Sequence, residues 1–271
     1  MSQPLVTIVT PCLNGQQTIR QTLVSIAIQE YPEIEHLVVD GGSTDGTIEA
    51  IREFSSRSRL VSLPGKNQSA ALNEGFRLAR GSVVGWLNAD DFYFDRYAVG
   101  RAVATLEQNP QSMLVYGDAV YIDTSSKIVR MSVTPKYSFS RLTRYGFIPQ
   151  PTIFFRSAAF CDRPINEQLE IVLDSEWLLR LAEITEFVHV PHFQAVFRLG
   201  NSKVHKLGRS VYARESAWLR SLYRNDSSQL TRRLQRVADM RANIMARWKG
   251  KLQASRIGHA GFDDMRKILE S

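Results

Sequence analysis

From its first residues the chain alternates short apolar runs with segments of helical period. PLVTIVTP, residues 4–11, is apolar and β-branched and ends on proline, the pattern of a buried strand. Between Gln16 and Gln29 the apolar positions Ile19, Leu23, Ile26 and Ala27 recur at the spacing of one helix face. HLVVD (36–40) reads as a second strand, followed by the turn cluster GGSTDG (41–46) and a short helix from Thr47 to Phe54. RLVSL (59–63) is a third strand, and Asn67 to Ala79 carries a helical pattern through Ala71, Leu72, Phe76 and Leu78. SVVGWL (82–87) is a fourth strand, and it runs directly into Asn88-Ala89-Asp90-Asp91.

Strand and helix in strict alternation predict an α/β fold with a mostly parallel central sheet and right-handed crossovers. Ligands of such sheets sit beyond the carboxyl ends of the strands. Pro11 to Asn14, Asp40 to Asp45 and Asn88 to Asp91 all fall there, so three polar clusters are expected to share one crevice. Past about residue 110 the pattern loosens. Strands are predicted at 113–122, 152–155 and 192–199, and a helix from Asp174 to Ala182 with Trp177, Leu178 and Leu181 on one face. From Ser210 onward the composition is helical and basic.

Charge sharpens that last division. Residues 1–202 hold 18 Lys/Arg against 21 Asp/Glu, whereas residues 203–271 hold 16 against 6. A near-neutral body is thus followed by a tail of net charge +10, which points to nucleic acid, an anionic membrane surface or a polyanionic substrate. In the tail, Leu234, Val237, Met240, Ile244 and Trp248 recur at three- or four-residue spacing within 232–251. That favours a packed helix with a solvated basic face, then peripheral attachment to anionic lipid. Nucleic acid ranks last, because no recognised module is present. No signal region opens the chain and no apolar run approaches the roughly 18 residues of a membrane span, so a cytoplasmic protein is expected, with any membrane contact at the inner face. Cys12 and Cys161 are too few and too far apart for a disulfide framework or a thiolate metal site.

The adjacent Asp90 and Asp91 ask for a positive partner, because neighbouring carboxylates repel. A hard divalent cation, Mg²⁺ or Mn²⁺, answers that need when it takes one or two carboxylates and completes its shell with substrate phosphates. Helix capping is the plainer alternative for the pair. Gly65-Lys66 lacks the spacing of a phosphate loop and reads as a solvated turn.

VTIVTPCLNG, EHLVVDGGSTDGT, NQSAALNEGFRLARGSVVGWLNADD and LDSEWLLRLAE, taken in order over residues 4–205, resemble glycosyltransferase family 2. The resemblance implies a GT-A (Rossmann-like) catalytic domain over 1–205, with a nucleotide-sugar half (1–110) and an acceptor half (111–205); composition adds a basic helical extension over 206–271. It implies that Thr10, Pro11, Asn14 and Asp40 hold the nucleoside of a nucleotide-sugar donor, with uracil the favoured base. Asp45 is then the residue that stabilises the turn. Leu13 stands where the family usually has an aromatic, and Ala70 where it commonly has an acid. Gln68 and Asn73 are carried over as ribose and sugar contacts. Asn88 and Asp90 match the acid-x-acid metal motif, with Asp90 as the principal metal ligand and Asp91 orienting its neighbours or the sugar. Asp174 matches the catalytic base, with Glu176 and Trp177 nearer the acceptor. Arg198, Ser202, Lys203 and His205 match the segment that meets the diphosphate.

The implied reaction is a single displacement with inversion at the anomeric carbon, in which Asp174 takes the proton of the acceptor hydroxyl. The acceptor is expected to be a saccharide, free or lipid-linked, in cell-surface polysaccharide or lipopolysaccharide synthesis. Two alternatives stay open at this point: N-capping as the role of Asp174, and a chain that binds sugar nucleotides without turnover.

Overall fold

The computed structural model describes residues 3–54, 56–200, 208–223 and 259–271. The first half folds as the pattern predicts: β1 (Val6–Cys12), α1 (Ile19–Ala27), β2 (Ile34–Asp40), α2 (Thr47–Arg52), β3 (Arg59–Ser62), α3 (Gln68–Leu78) and β4 (Val83–Trp86). β1 lies between β2 and β4, parallel to both, and β3 pairs parallel with β2. Pro11 does not end β1, which continues to Cys12 in register with Asp40. Val9 accepts from Leu87 on the β4 side and Cys12 from Gly41 on the β2 side. By alternation Pro11 faces the β4 side, where that strand has already ended, so its missing N–H breaks no ladder bond.

The second half adds β5 (Phe92–Tyr93), α4 (Ala98–Gln108), β6 (Leu114–Ile122), β7 (Ile128–Ser132), α5 (Phe139–Tyr145), β8 (Phe154–Arg156), α6 (Leu173–Ala182) and β9 (Phe187–Arg198). Among the described residues the sheet runs β3-β2-β1-β4-β8-β6-β9-β5, with β7 paired to β6. β8 is antiparallel to both β4 and β6, and β9 is parallel to β6, so β6 and β9 point the same way as β1 to β4. Only β5, β7 and β8 are reversed. β9 starts before the expected strand at 192–199, because Pro191 sits in a bulge where the register against Gly117 and Asp118 shifts. The sheet is buried on both faces. α3 and α6 cover one through Leu72, Phe76, Trp86, Phe155 and Trp177, and α4 covers the other through Val99, Val103 and Leu106.

Two further helices, α7 (Arg209–Leu222) and α8 (His259–Glu270), belong to the expected C-terminal extension. Both pack on the body. Leu219 joins the core beneath α6, while Met265 and Ile268 pack with Phe92 and Phe94. The buried Asp264 accepts from Arg96 Nη2 at 2.6 Å and Nε at 2.9 Å. The amphipathic pattern at 232–251 lies outside the described residues. No described helix is long and apolar enough to cross a membrane.

His36 makes the fold sensitive to acid. It is buried on β2, with Nε2 at 3.0 Å from the Thr10 hydroxyl and Nδ1 at 2.8 Å from that of Ser58. Burial pushes its pKa down to about 3. The unfolded chain therefore binds a proton that the folded chain refuses. Stability from this group is complete above pH 6.5 and is lost as pH falls toward 3. Between pH 6.5 and pH 5 we expect His36 to remove about 2 kcal/mol of unfolding free energy. Urea unfolding of wild type and His36→Gln at both pH values checks this: the variant should show the smaller decline, and equal declines would contradict it.

Candidate active site

Three strand ends build the crevice. At the end of β1, Asn14 adopts a left-handed backbone (φ 51°) that asparagine tolerates better than most residues. This turns its amide toward the Gly41–Gly46 loop. Its Oδ1 accepts from Thr44 N at 2.9 Å, and its own N–H donates to Ser43 Oγ at 2.8 Å. Asp40, ending β2, accepts from the backbone N–H groups of Gly42 and Ser43, both at 2.9 Å, and from the Ser43 hydroxyl. Asp45 does the same for Thr47 and also accepts from Gln16 N at 3.2 Å. Both aspartates thus stabilise their own turns, a role expected of Asp45 more than of Asp40. Cys12 registers the convergence. Its thiol is pushed up to about 12, first by burial, then by the negative charge of Asp40, with Asp45 and Asp90 adding to it. Carboxylates from the ends of β2 and β4 therefore act on one sulfur at the end of β1.

The loop after β4 is held by a closed amide network. Asn88 Oδ1 accepts from Gln68 Nε2 at 2.9 Å and from Trp86 Nε1 at 3.0 Å. Its Nδ2 donates to Gln150 Oε1 at 2.7 Å, and Gln150 Nε2 returns to the Trp86 carbonyl at 2.8 Å. Trp86 Nε1 is only a donor, so it fixes which end of Asn88 is oxygen. That oxygen then faces two N–H groups, which leaves it no lone pair directed at a cation. Gln150 lies in a short 3₁₀ turn between Pro149 and Pro151 and is buried. Its flanking prolines signal a turn, but nothing local in the sequence marks it as a partner of Asn88.

Asp91 is buried behind this loop. Its Oδ1 accepts from Arg198 N at 2.9 Å and its Oδ2 from Asn88 Nδ2 at 3.4 Å. Burial, with the charge of Asp90 second, pushes its pKa well above the ordinary carboxylate range. The Arg198 guanidinium runs alongside, donating to the carbonyls of Asp90 (3.3 Å) and Asp123 (3.4 Å), to Ser126 Oγ (3.1 Å) and to Gln21 Oε1. Arg198 was expected in the diphosphate segment; instead its side chain is buried as a strut behind Asp90 and Asp91. Its charge offsets part of the repulsion between the paired aspartates, while its N–H groups donate to neutral oxygens. Ser202, Lys203 and His205 lie outside the described residues.

A second loop, 163–172, carries the chain to Asp174, and α3 anchors it. Asn67 Nδ2 donates to the Glu167 carbonyl at 2.8 Å, and Ser69 Oγ to that of Leu169 at 3.1 Å. Asn73 donates to Ile165 O (3.0 Å) and Glu167 Oε1 (2.9 Å) and accepts from Ile165 N (2.8 Å). Gln68 and Ser69 are adjacent, and one reaches Asn88 while the other reaches Leu169. The first turn of α3 thereby couples the Asp90 loop to the loop that precedes α6.

Several expected contacts are corrected by these positions. The Thr10 hydroxyl is buried against His36, and Asn73 is taken up by the Ile165 backbone and the Glu167 carboxylate. Trp177 is fully buried, packed edge-on against Phe155 at 4.9 Å with Nε1 donating to Arg163 O, so its ring has no face for an acceptor. Glu176 is buried and paired twice with Arg180, at 2.6 and 2.9 Å. Asp174 is not the N-cap of α6: Val172 holds that place, and Asp174 stands in the first turn, its Oδ1 accepting from Ser175 N at 2.6 Å. Pro11 lies inside β1, one residue before its end, Leu13 is exposed, and Asp90 is half-buried at the crevice.

Among the described residues no group of three or more His, Cys, Asp or Glu is arranged to hold a metal. With the Asn88 oxygen occupied and Asp91 turned inward, the residues fit a cation that takes one protein carboxylate and completes its shell from substrate phosphates. They do not form an all-protein cage.

The Glycosyl transferase family 2 model matches residues 7–169. A PGL/p-HBAD biosynthesis glycosyltransferase of Mycobacterium bovis (strain BCG / Pasteur 1173P2) is 29% identical over 199 residues, covering 70% of this chain and 76% of that protein. The Escherichia coli chondroitin synthase is 27% identical over 210 residues, 75% of this chain but 30% of that one. The sheet and its helices also superpose on a mannosyltransferase of Pyrobaculum calidifontis solved with GDP-Man and Mn²⁺ (TM-score 0.62, 20% identity, 84% of this chain and 66% of that one). TarS of S. aureus solved with UDP-GlcNAc is similar (TM-score 0.60, 17% identity, 73% and 59%). These two likenesses carry the fold, which is GT-A. The motif order, the crevice at the strand ends and the family match agree: the chain belongs to glycosyl transferase family 2 and is a glycosyltransferase.

Proposed function

We propose that the protein transfers a sugar from a nucleoside-diphosphate donor to a saccharide or lipid-linked hydroxyl, with inversion at the anomeric carbon. The observation that carries this reading is the meeting in one crevice of Asp40 and Asp45 from the end of β2 and Asp90 from the end of β4, beside Asn14 at the end of β1. A nucleoside lies over the Asn14–Asp40 turns, where Asp40 retains acceptor capacity toward a base imide N–H. UDP is the expected nucleotide. GDP is the alternative that the neighbours' ligands make worth testing.

Asp90 would hold Mg²⁺ or Mn²⁺ against the diphosphate. When bound, such a cation neutralises the charge of the leaving nucleoside diphosphate, so no protein proton donor is needed there. The chain's own contribution begins at Asp174. Its carboxylate takes the proton of the acceptor hydroxyl as that oxygen forms a bond to the anomeric carbon. The bond from that carbon to the diphosphate breaks on the opposite face. Asn88, Gln68 and Gln150 keep the Asp90 loop rigid, so the reacting groups are oriented before the sugar arrives. Glycolipid or polysaccharide assembly is the setting consistent with the curated relatives.

NMR of reactions with UDP- and GDP-sugars, Mn²⁺ and saccharide acceptors tests the reading. A new glycosidic bond of anomeric configuration opposite to the donor's is expected. A product that retains the donor's configuration would overturn the single-displacement mechanism. No donor consumption with any nucleotide sugar would overturn the activity itself.

A further inference from the structure

The loop that delivers Asp174 has a second anchor, from the far end of the chain. Glu215, on α7, is buried, and its carboxylate accepts three backbone N–H groups in succession. Glu170 N lies 3.0 Å from Oε1, and Ile171 N and Val172 N lie 2.9 and 3.1 Å from Oε2. Val172 is the N-cap residue of α6 and supplies no side-chain cap. From 43 residues downstream Glu215 therefore takes up the N–H of the N-cap residue and of the two residues before it, fixing the backbone that enters α6. Burial opposes its charge, but the three donors outweigh it and hold its pKa below the ordinary value. The rest of α7 is fixed to the same place by Leu219, buried in the core that contains Leu173, Trp177 and Leu178.

We propose that Glu215 is a positioning residue for glycosyl transfer, holding the backbone at 170–172 so that Asp174, two residues on, meets the acceptor hydroxyl in reacting geometry. This rests on the reading of Asp174 as the base. The chemistry needs a carboxylate and not merely a polar side chain. Both of its oxygens accept, so a glutamine in either orientation turns an NH₂ group onto at least one backbone N–H. Residues 206–271, expected from the sequence as a separate extension, then supply part of the catalytic scaffold through this helix.

The test compares wild type, Glu215→Gln and Asp174→Asn as full-length chains, using donor turnover and hydrogen–deuterium exchange. Displacing a reacting group by about 1 Å costs on the order of 10²-fold, so kcat of Glu215→Gln should fall by about that factor. KM for the donor should stay unchanged, because the donor groups sit at the ends of β1, β2 and β4. Exchange at amides 170–172 should accelerate at least about tenfold while the core strands keep their protection. Faster exchange with wild-type kcat would mean a purely structural contact and overturn the proposal, as would a loss carried by donor KM. Active Glu215→Gln beside inactive Asp174→Asn overturns the positioning role alone. Active Asp174→Asn overturns the base reading and this proposal with it. Should Glu215→Gln fail to fold, Glu215→Asp keeps the charge with a shorter reach. It should show faster exchange at 170–172 and a lower kcat together, and an unchanged kcat overturns the proposal.

Discussion

Asp174→Asn should lower kcat by about 10³-fold, within the range by which general bases accelerate proton transfer. The substitution is nearly isosteric. An asparagine Oδ1 still accepts the Ser175 N–H that Asp174 accepts at 2.6 Å, so the start of α6 keeps its shape. What disappears is a group able to take a proton from the acceptor hydroxyl. Nucleotide affinity should be unchanged, because the nucleotide groups stand at the ends of β1, β2 and β4 and not on α6. Steady-state kinetics with calorimetry of nucleoside-diphosphate binding separates the two effects. Turnover within tenfold of wild type would remove Asp174 from the mechanism.

The largest structural effect is expected at Arg198. Its guanidinium is buried and tied to the carbonyls of Asp90 and Asp123, to Ser126 and to Gln21. Burial pulls its pKa down, and the nearby Asp90, Asp91 and Asp123 counter that pull. Arg198→Leu strands the Asp90 and Asp123 carbonyls and the Gln21 amide oxygen without their donor, and buried acceptors left unpaired cost about 1–3 kcal/mol each, so a loss of about 3–5 kcal/mol is expected. Arg198→Lys should recover only a minor part, because an ammonium does not span acceptors on three separate segments as a planar guanidinium does. Urea unfolding measures both variants. An Arg198→Leu protein within about 1 kcal/mol of wild type, the worth of a surface contact, would show that the strut is dispensable.

The first four strands, their helices and the crevice at their ends were legible because each element there obeys one period and ends on a turn residue. The Asp40, Asp45 and Asp90 clusters needed only topology to be brought together. Other features were legible and passed over: Val99, Ala102, Val103 and Leu106 recur at helical spacing in α4, and all four are buried. The two prolines misled for a common reason. Pro11 reads as a strand breaker and the strand expected at 192–199 leaves Pro191 outside it, yet one faces a side without a partner strand and the other fills a bulge, and only pairing reveals either. Asn73 and Trp177 show the limit of carrying roles by motif. Position in a pattern fixes the backbone, but which way a side chain turns depends on the 163–167 loop, 92 residues away in sequence for Asn73 and 14 for Trp177. Gln150 and Glu215 carried no signal at all, because their partners are backbone groups and a distant amide.

The most direct test of the central claim is thermal stability of the purified protein with UDP, GDP and dTDP, each with and without Mn²⁺, beside Asp90→Ala. A ligand at a hundred times its dissociation constant adds about 2.7 kcal/mol to the folded state, a shift of several degrees in Tm. One nucleotide should stabilise wild type strongly with Mn²⁺ and weakly without it, and Asp90→Ala should lose the metal-dependent part while keeping its own unliganded Tm. No stabilisation by any nucleoside diphosphate, or an equal response in Asp90→Ala, would contradict a donor site built on the Asp90 strand end.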